Sequence, residues 1–241
     1  YGAVSEGGLA MRSALAGPAF YNARTVALRG EFVVAAAIRG DSPLRERSLA
    51  EFAEQAEIEL GGAPLPWRVY PGLFAGGGLD VMTSALLRVL PQPPARARIL
   101  DFCCGSGSIA AALLQRAAAA GDAGARLHLL DADAVALEAA RANVPSARRF
   151  HLSDAWSAVP AEARYDWIVS NPPVHCGLRH DFTVLSRLLD ACPGRLRPKG
   201  SLWLVAQTYV PVGCLCPSAR SIWSDGRFTV WRVDAGAGAP A

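Results

Sequence analysis

From residue 67 onward the chain alternates short apolar runs with segments whose apolar residues recur at helical spacing. Residues 98–102, 126–130, 148–152 and 165–170 read as buried strands, and 201–210 and 227–233 as two more. Residues 79–90, 107–120 and 133–143 read as helices between them. Pro91, Pro93 and Pro94 stop the first, and Asp133 caps the third. Phe182, Leu185, Leu188, Leu189 and Cys192 fall on one helical face, which Pro193-Gly194 ends. Lys199-Gly200 then turns the chain into the next strand. Strands alternating with helices predict an α/β, doubly wound, mostly parallel sheet with right-handed crossovers. No clear helix joins the last two strands, so the final one is expected to run antiparallel.

Residues 1–66 carry a weaker pattern. Residues 25–39 alternate enough for one or two strands with a hairpin near Gly30, and 48–60 read as a short polar helix stopped by Gly61-Gly62. Pro64-Leu65-Pro66 marks a linker. The chain therefore divides into an N-terminal extension or remnant of an upstream domain (1–66), a catalytic domain (67–234) and a flexible Ala/Gly/Pro tail (235–241). It begins at Tyr1 rather than Met, so further residues upstream are expected.

At 241 residues, with 51% hydrophobic and 19% charged positions, the composition is that of a core-forming globular protein. No apolar run reaches the length that spans a bilayer, so no membrane partner is expected. A net charge of +3 permits contact with nucleic acid without arguing for it. Lys199 is the one lysine among 24 basic residues, which fits a GC-rich genome better than selection for phosphate binding. The six cysteines, Cys103, Cys104, Cys176, Cys192, Cys214 and Cys216, include no C-x2-C pair and no neighbouring histidines at metal-ligand spacing. They read as reduced thiols of a cytoplasmic protein with no bound metal.

Asn171-Pro172-Pro173-Val174 follows the strand at 165–170 directly. Neither proline has an N–H to continue a ladder, so the chain must leave the sheet rigid and extended. The exit carries an Asn amide and free carbonyls beyond the carboxyl end of the strand, where open α/β sheets keep their sites. Such acceptors can hold a planar –NH2 by both hydrogens and leave its lone pair aimed at an electrophile.

A second constellation lies earlier. Asp101-Phe102-Cys103-Cys104-Gly105-Ser106-Gly107 joins the first strand to its helix. Glycines there let a ligand approach the backbone, and the helix start offers free N–H groups. Asp131 ends the second strand, where an acid accepts from ribose hydroxyls. Asp154 follows the third, where a carboxylate accepts from an adenine amino group. Gly105-x-Gly107-x-x-Ala110 also fits the dinucleotide fingerprint, but Asp101 would stand against a pyrophosphate. The same carboxylate suits a ligand with a positive amino group.

In this order the loop, Asp131, Asp154 and Asn171-Pro172-Pro173-Val174 resemble the class I S-adenosylmethionine-dependent methyltransferases that methylate amino groups. Tyr70-Pro71-Gly72-Leu73-Phe74-Ala75-Gly76-Gly77-Gly78-Leu79-Asp80 is similar to the P-G-V-F-S-x-x-x-L-D segment of bacterial ribosomal RNA guanine-N2 methyltransferases of the small-subunit type. Their N-P-P-F-H-x-G motif corresponds to Asn171-Pro172-Pro173-Val174-His175-Cys176-Gly177. The resemblance covers residues 67–233 and implies a Rossmann-like, seven-stranded sheet. It also implies that residues 1–66 are what remains of an upstream, degenerate methyltransferase-like domain that helps bind RNA.

By position, the resemblance implies S-adenosylmethionine as cofactor. Asp101, Cys103, Gly105 and Gly107 would hold its methionine end, Asp131 its ribose and Asp154 its adenine, with Phe74 and Asp80 closing over it or ordering the site. Asn171 with Pro172 and Pro173 would bind the target amino group, Asn171 also bordering the cofactor, and Val174 and His175 would meet the substrate. Two departures stand out. Cys103 replaces a glycine of the loop, and Val174 replaces an aromatic that stacks on the target base; Trp156 and His175 are the candidates to take over that stacking. Arg148, Arg149, Arg179, His180, Arg195 and Arg197 are either an RNA-facing surface or scattered solvated side chains. The leading expectation is methylation of guanine N2 in ribosomal RNA. The same chemistry on adenine N6 or on a protein glutamine amide remains open, as does a non-catalytic RNA-binding or assembly module; a nicotinamide-dependent dehydrogenase leaves Asn171-Pro172-Pro173 without a purpose.

Overall fold

The computed structural model of the chain describes residues 2–3, 20–29, 32–41, 47–122, 124–176 and 179–236. The expected turn at Gly30, the motif residue Gly177 and residues 237–241 of the tail lie outside them. The chain forms two compact units, Tyr1–Glu51 and Phe52–Ala241.

In the first unit, strands β1 (Gly2–Ala3), β2 (Phe20–Arg29) and β3 (Phe32–Arg39) form an antiparallel sheet in the order β1-β3-β2. β2 and β3 are the two strands the weak alternation predicts.

The second unit opens with the hairpin β4 (Glu54–Leu60) and β5 (Ala63–Val69). Here the expected helix at 48–60 is corrected: only Leu49–Phe52 makes a short 3-10 turn. Glu57-Ile58-Glu59-Leu60 alternates with period two, and the sheet reading wins because Ile58 and Leu60 are buried while both glutamates face water. Pro64 and Pro66 stand opposite Glu59 and Glu57 within β5, not in a linker. A two-stranded ribbon has free edges, so prolines whose missing N–H faces outward cost it nothing.

The remaining elements are α1 (Val81–Val89), β6 (Arg98–Phe102), α2 (Ser108–Ala119), β7 (Arg126–Asp131), α3 (Ala134–Asn143), β8 (Arg149–Leu152), β9 (Tyr165–Ser170), the short pair β10 (His175–Cys176) and β11 (Arg179–His180), α4 (Thr183–Arg195), β12 (Leu196–Gln207), the single turn α5 (Val212–Leu215), β13 (Arg220–Ser224) and β14 (Phe228–Asp234). Seven strands form one sheet in the order β13-β14-β12-β9-β6-β7-β8. Neighbours from β12 to β8 run parallel, and the last strand, β14, is antiparallel to both of its neighbours, as expected. β13 was not legible in the sequence. It is a short outer strand, mostly exposed, with no apolar face to mark it.

β6 lies in the middle of the sheet, and its alternation feeds two cores. Ile99 packs with Leu86, Leu113, Leu129 and the hairpin's Trp67 on one face. Leu100 and Phe102 pack with Ile168, Leu185 and Leu188 on the other. With both faces covered, the polar loops that follow the carboxyl ends of the strands are brought to one rim of the sheet.

Candidate active site

A cavity of about 470 Å³ opens at that rim. It is walled by the loops after β5, β6, β7, β8, β9 and β12 and by the first turn of α1. Of the residues singled out from sequence, Phe74, Asp80, Cys103, Gly105, Asp131, Asp154, Asn171, Pro172, Pro173, Val174 and His175 line it. Asp101 and Gly107 do not; they stand behind the wall.

The loop after β6 has the shape the glycine pattern predicts. Gly105 has a φ of 53°, and a Cβ built on it meets nothing within 4 Å, so its backbone is open to a ligand. Cys103, standing where the resemblance expects glycine, has a φ of 60°. The position does demand a left-handed backbone, and the cysteine bears that strain. Gly107 has a packing reason: a Cβ there would come within 2.8 Å of Val144 Cγ2.

The three acids differ in what they hold. Asp131 Oδ2 accepts from Gly105 N at 2.8 Å and its Oδ1 from Asp133 N at 3.0 Å, so it fixes both loops. Burial raises its pKa against those two N–H groups. Asp101 is fully buried. Its Oδ2 accepts from Ala110 N in α2 at 3.1 Å, and its Oδ1 has no partner among the described residues. Burial pushes its carboxyl up to about 8, with the Asp131 charge adding to the rise. Asp154 is exposed at the rim and takes a bidentate contact from Arg187 Nη1 at 2.9 and 3.0 Å.

Asn171 is fixed from a distant part of the chain. Its Nδ2 donates to Asp80 Oδ2 and to Thr83 Oγ1, both at 3.0 Å. Asp80 also caps α1, accepting from Met82 N and Thr83 N. Both amide hydrogens are thereby consumed, and Oδ1 is the one polar atom of the side chain left to meet a ligand. Sequence reasoning marked Asp80 but missed Thr83. The signal was present, because a residue three places after an N-cap lies one turn on.

Trp67 and Asn143 were missed altogether. Trp67 Nε1 donates to Gly77 O at 2.8 Å, and Ser106 Oγ donates to the same carbonyl at 2.8 Å. Asn143 holds Arg68 through Oδ1 and Nδ2 and reaches Ser106 O at 3.1 Å. These contacts tie hairpin, Phe74 loop and glycine loop together. Phe74 itself is 74% exposed over the cavity.

Val174 is buried and forms wall. Of the two candidates for the missing aromatic, Trp156 packs on Phe102 with centroids 4.9 Å apart and is not among the cavity-lining residues. His175 is exposed and does line the cavity. The six basic residues do not make one surface. Arg148, Arg149, Arg195 and Arg197 flank the starts of β8 and β12, at the end of the sheet away from the cavity, and Arg197 is paired with Asp166 at 3.0 Å. Arg179 and His180 alone share the cavity's end. Among the described residues no three metal-ligating side chains converge.

The dimensions and chemistry of the cavity fit a nucleoside-sized cofactor carrying a positive charge. Its volume lies in the small-molecule range, its loop is open at Gly105, and its titratable wall residues include Asp80, Asp131, Asp133 and Asp154.

Comparison with known proteins agrees. The model of the methyltransferase small domain family matches residues 66–216. A ribosomal RNA small subunit methyltransferase C from Chromohalobacter salexigens is 37% identical over 173 residues, 69% of this chain and 49% of the relative. The protein of the same name from Klebsiella pneumoniae is 34% identical, over 69% of this chain and 48% of its own length. The chain thus spans about half the length of the curated relatives it matches. The 16S rRNA N2 G1207 methyltransferase RsmC of Thermus thermophilus, solved with AdoMet and guanosine, has the same fold, with a TM-score of 0.73 at 21% identity over 93% of this chain and 60% of its own. The chain belongs to the methyltransferase small domain family.

Proposed function

We propose that this chain transfers a methyl group from S-adenosylmethionine to an exocyclic amino nitrogen, guanine N2 of ribosomal RNA being the substrate. The observation that carries the reading is the Asn171 amide, whose two hydrogens are held by Asp80 and Thr83. The curated relatives' names point to the same substrate class.

Asp131 and Asp154 are assigned to the ribose and adenine, Cys103 and Gly105 to the methionine end, and Phe74 to covering the cofactor. Asp101 and Gly107 act from behind the wall: Asp101 holds the start of α2, and Gly107 lets that helix close on Val144. The cofactor supplies an electrophilic methyl. The target amino group is a poor nucleophile because its lone pair is conjugated with the ring. Asn171 Oδ1 and the Pro172 carbonyl accept its two hydrogens, which returns electron density to nitrogen and aims the lone pair. Pro173 keeps the exit rigid, Val174 shapes the wall and His175 borders the substrate. As the nitrogen gains the methyl group, the sulfur keeps the electron pair of the broken S–C bond, and the nitrogen gives up one proton to solvent after transfer. Positioning and fixed dipoles supply the rate gain, and no strong base or metal is needed. The chemistry is assigned to residues 67–234.

The test is calorimetric titration of S-adenosylmethionine into the full chain and into Asp131→Ala, followed by methyl transfer to small-subunit ribosomal RNA. Micromolar binding, weakened more than about tenfold in the variant, is expected, since a lost charge-assisted hydrogen bond is worth roughly 1.5–3 kcal/mol. A folded chain that binds no S-adenosylmethionine overturns the reading.

A further inference from the structure

Beside the catalytic cavity, Tyr209, His175 and His180 form an exposed aromatic cluster. Tyr209 Oη lies 2.7 Å from His175 Nε2. Ring centroids are 5.1 Å apart for His175 and His180 and 4.9 Å for His180 and Tyr209. The two histidines are register partners across β10 and β11, and Tyr209 comes from the turn after β12. Tyr209 is 51% exposed, although aromatic rings ordinarily bury most of their surface.

Tyr209 also lines a second, shallow concavity together with Thr208, Gly226, Arg227 and Phe228. Gln207 lines both concavities, and among the described residues its Oε1 has no hydrogen-bond partner. The Arg227 guanidinium lies 5.0 Å from the centre of the Phe228 ring. The two concavities thus adjoin at Gln207, with His175 lining the first and Tyr209 and Arg227 the second.

Flat exposed rings beside an arginine suit one kind of ligand well. Unpaired bases stack on aromatic faces irrespective of their sequence, and arginine takes the linking phosphate. A peptide carrying a glutamine amide has no flat, π-faced group at each step to use such a surface. The catalytic wall itself offers an aliphatic Val174 where a base would stack.

We infer that Tyr209, His175 and His180, with the adjoining concavity that Arg227 lines, form a second nucleotide site. It stacks the base that flanks the target nucleotide in single-stranded RNA. The inference rests on the function proposed above and adds a subsite that function does not require.

The test uses the full chain and an end-labelled, short single-stranded RNA with one guanosine and a fluorescent purine analogue beside it. Binding is read by anisotropy and stacking by quenching of the analogue. S-adenosylmethionine affinity is measured in parallel for the wild type, Tyr209→Ala, Tyr209→Phe and Arg227→Gln. Tyr209→Ala should weaken RNA binding at least about fivefold, from the cost of one lost stack, and abolish the quench. Tyr209→Phe should keep both, because the ring is what matters. Arg227→Gln should weaken RNA binding and flatten its dependence on salt. All should bind S-adenosylmethionine as the wild type does. Unchanged RNA affinity and quench in Tyr209→Ala overturn the inference, as does a wild type that binds the cofactor but not the RNA. Loss of cofactor affinity in Tyr209→Ala also overturns it, since the ring would then be a support for the cavity. A wild type that binds no cofactor overturns the functional reading instead.

Discussion

The two halves of the cavity are built on opposite plans. On the side of β6, β7 and β8, the carboxylate that lines the cavity is spent on the protein's own backbone: Asp131 holds Gly105 and Asp133, while Asp101, behind the wall, holds Ala110 through Oδ2 and keeps its unpartnered Oδ1 out of the cavity lining. On the side of β9 and β12, polar atoms are left over among the described residues: Asn171 is tethered through Nδ2 alone, and Gln207 Oε1 has no hydrogen-bond partner. One half is a preformed shape, and the other is a set of oriented, unspent acceptors. On the proposed function, the cofactor uses the first and the substrate the second.

The largest expected effect tests the unspent half. Asn171→Ala should lower turnover about 10²–10³-fold, the range for losing one preorganised polar group, while S-adenosylmethionine affinity stays within about threefold. Thr83→Val removes one tether without changing size and should cost about tenfold in turnover. Steady-state kinetics beside calorimetry check both, and a variant that loses cofactor binding but keeps turnover would break the contrast.

The preformed half should answer in stability. In Gly107→Ala the new methyl meets Val144 Cγ2, and the φ of 94° is strained for any side chain. A loss of about 2–4 kcal/mol in urea unfolding is expected. An unchanged midpoint would mean that the loop is not rigid.

Next comes pH. Asp101, with its carboxyl at about 8 in the fold, costs stability as pH rises from the ordinary carboxylate range toward 8, because only the unfolded chain then gives up its proton freely. His128 is the reverse. Burial, aided by Arg98 and the His151 ring whose Nε2 lies 3.3 Å from His128 Nδ1, lowers its pKa from 6.5 to about 4. The unfolded chain alone binds that proton between these values, so stability falls as pH drops from 6.5 toward 4. The two slopes oppose each other. Asp101→Asn should give a thermal midpoint that rises by a few degrees from about pH 5 to about pH 7. His128→Gln should give one that falls, and parallel profiles would refute the assignment.

The smallest effect sharpens the contrast at the rim. Arg187 and Asp154 are both largely exposed, so Arg187→Ala should change stability by less than about 1 kcal/mol. Cofactor affinity should shift by no more than about threefold.

The sequence made the site more legible than its supports. Asn171-Pro172-Pro173, Gly105 and Asp131 could be read because each meets its requirement within a few neighbouring residues. The supports depend on partners far along the chain. Thr83 matters only because Asn171, 88 positions on, comes to rest beside it. Arg187 reaches Asp154 across 33 positions, and Trp67 reaches Ser106 across 39. The doubly wound, mostly parallel sheet followed from alternation with helices, but its strand order, β13 and the hairpin β4–β5 did not. Their apolar alternation is short, and Pro64 and Pro66 resemble a linker until a ribbon edge is there to receive them. Arg148 and Arg179 look alike as charges, and strand direction alone sends them to opposite ends of the sheet.

The Asp80–Asn171 contact joins the cap of α1 to the exit of a strand 91 positions later. An unfolded or half-folded chain has the asparagine but nothing to stop its amide from rotating. On the proposed function, chemical competence therefore arrives only when α1 and β9 have both come to their final places, and not by degrees as the chain compacts. A misfolded copy is silent rather than inaccurate, so loss of turnover in a damaged sample should track loss of native topology.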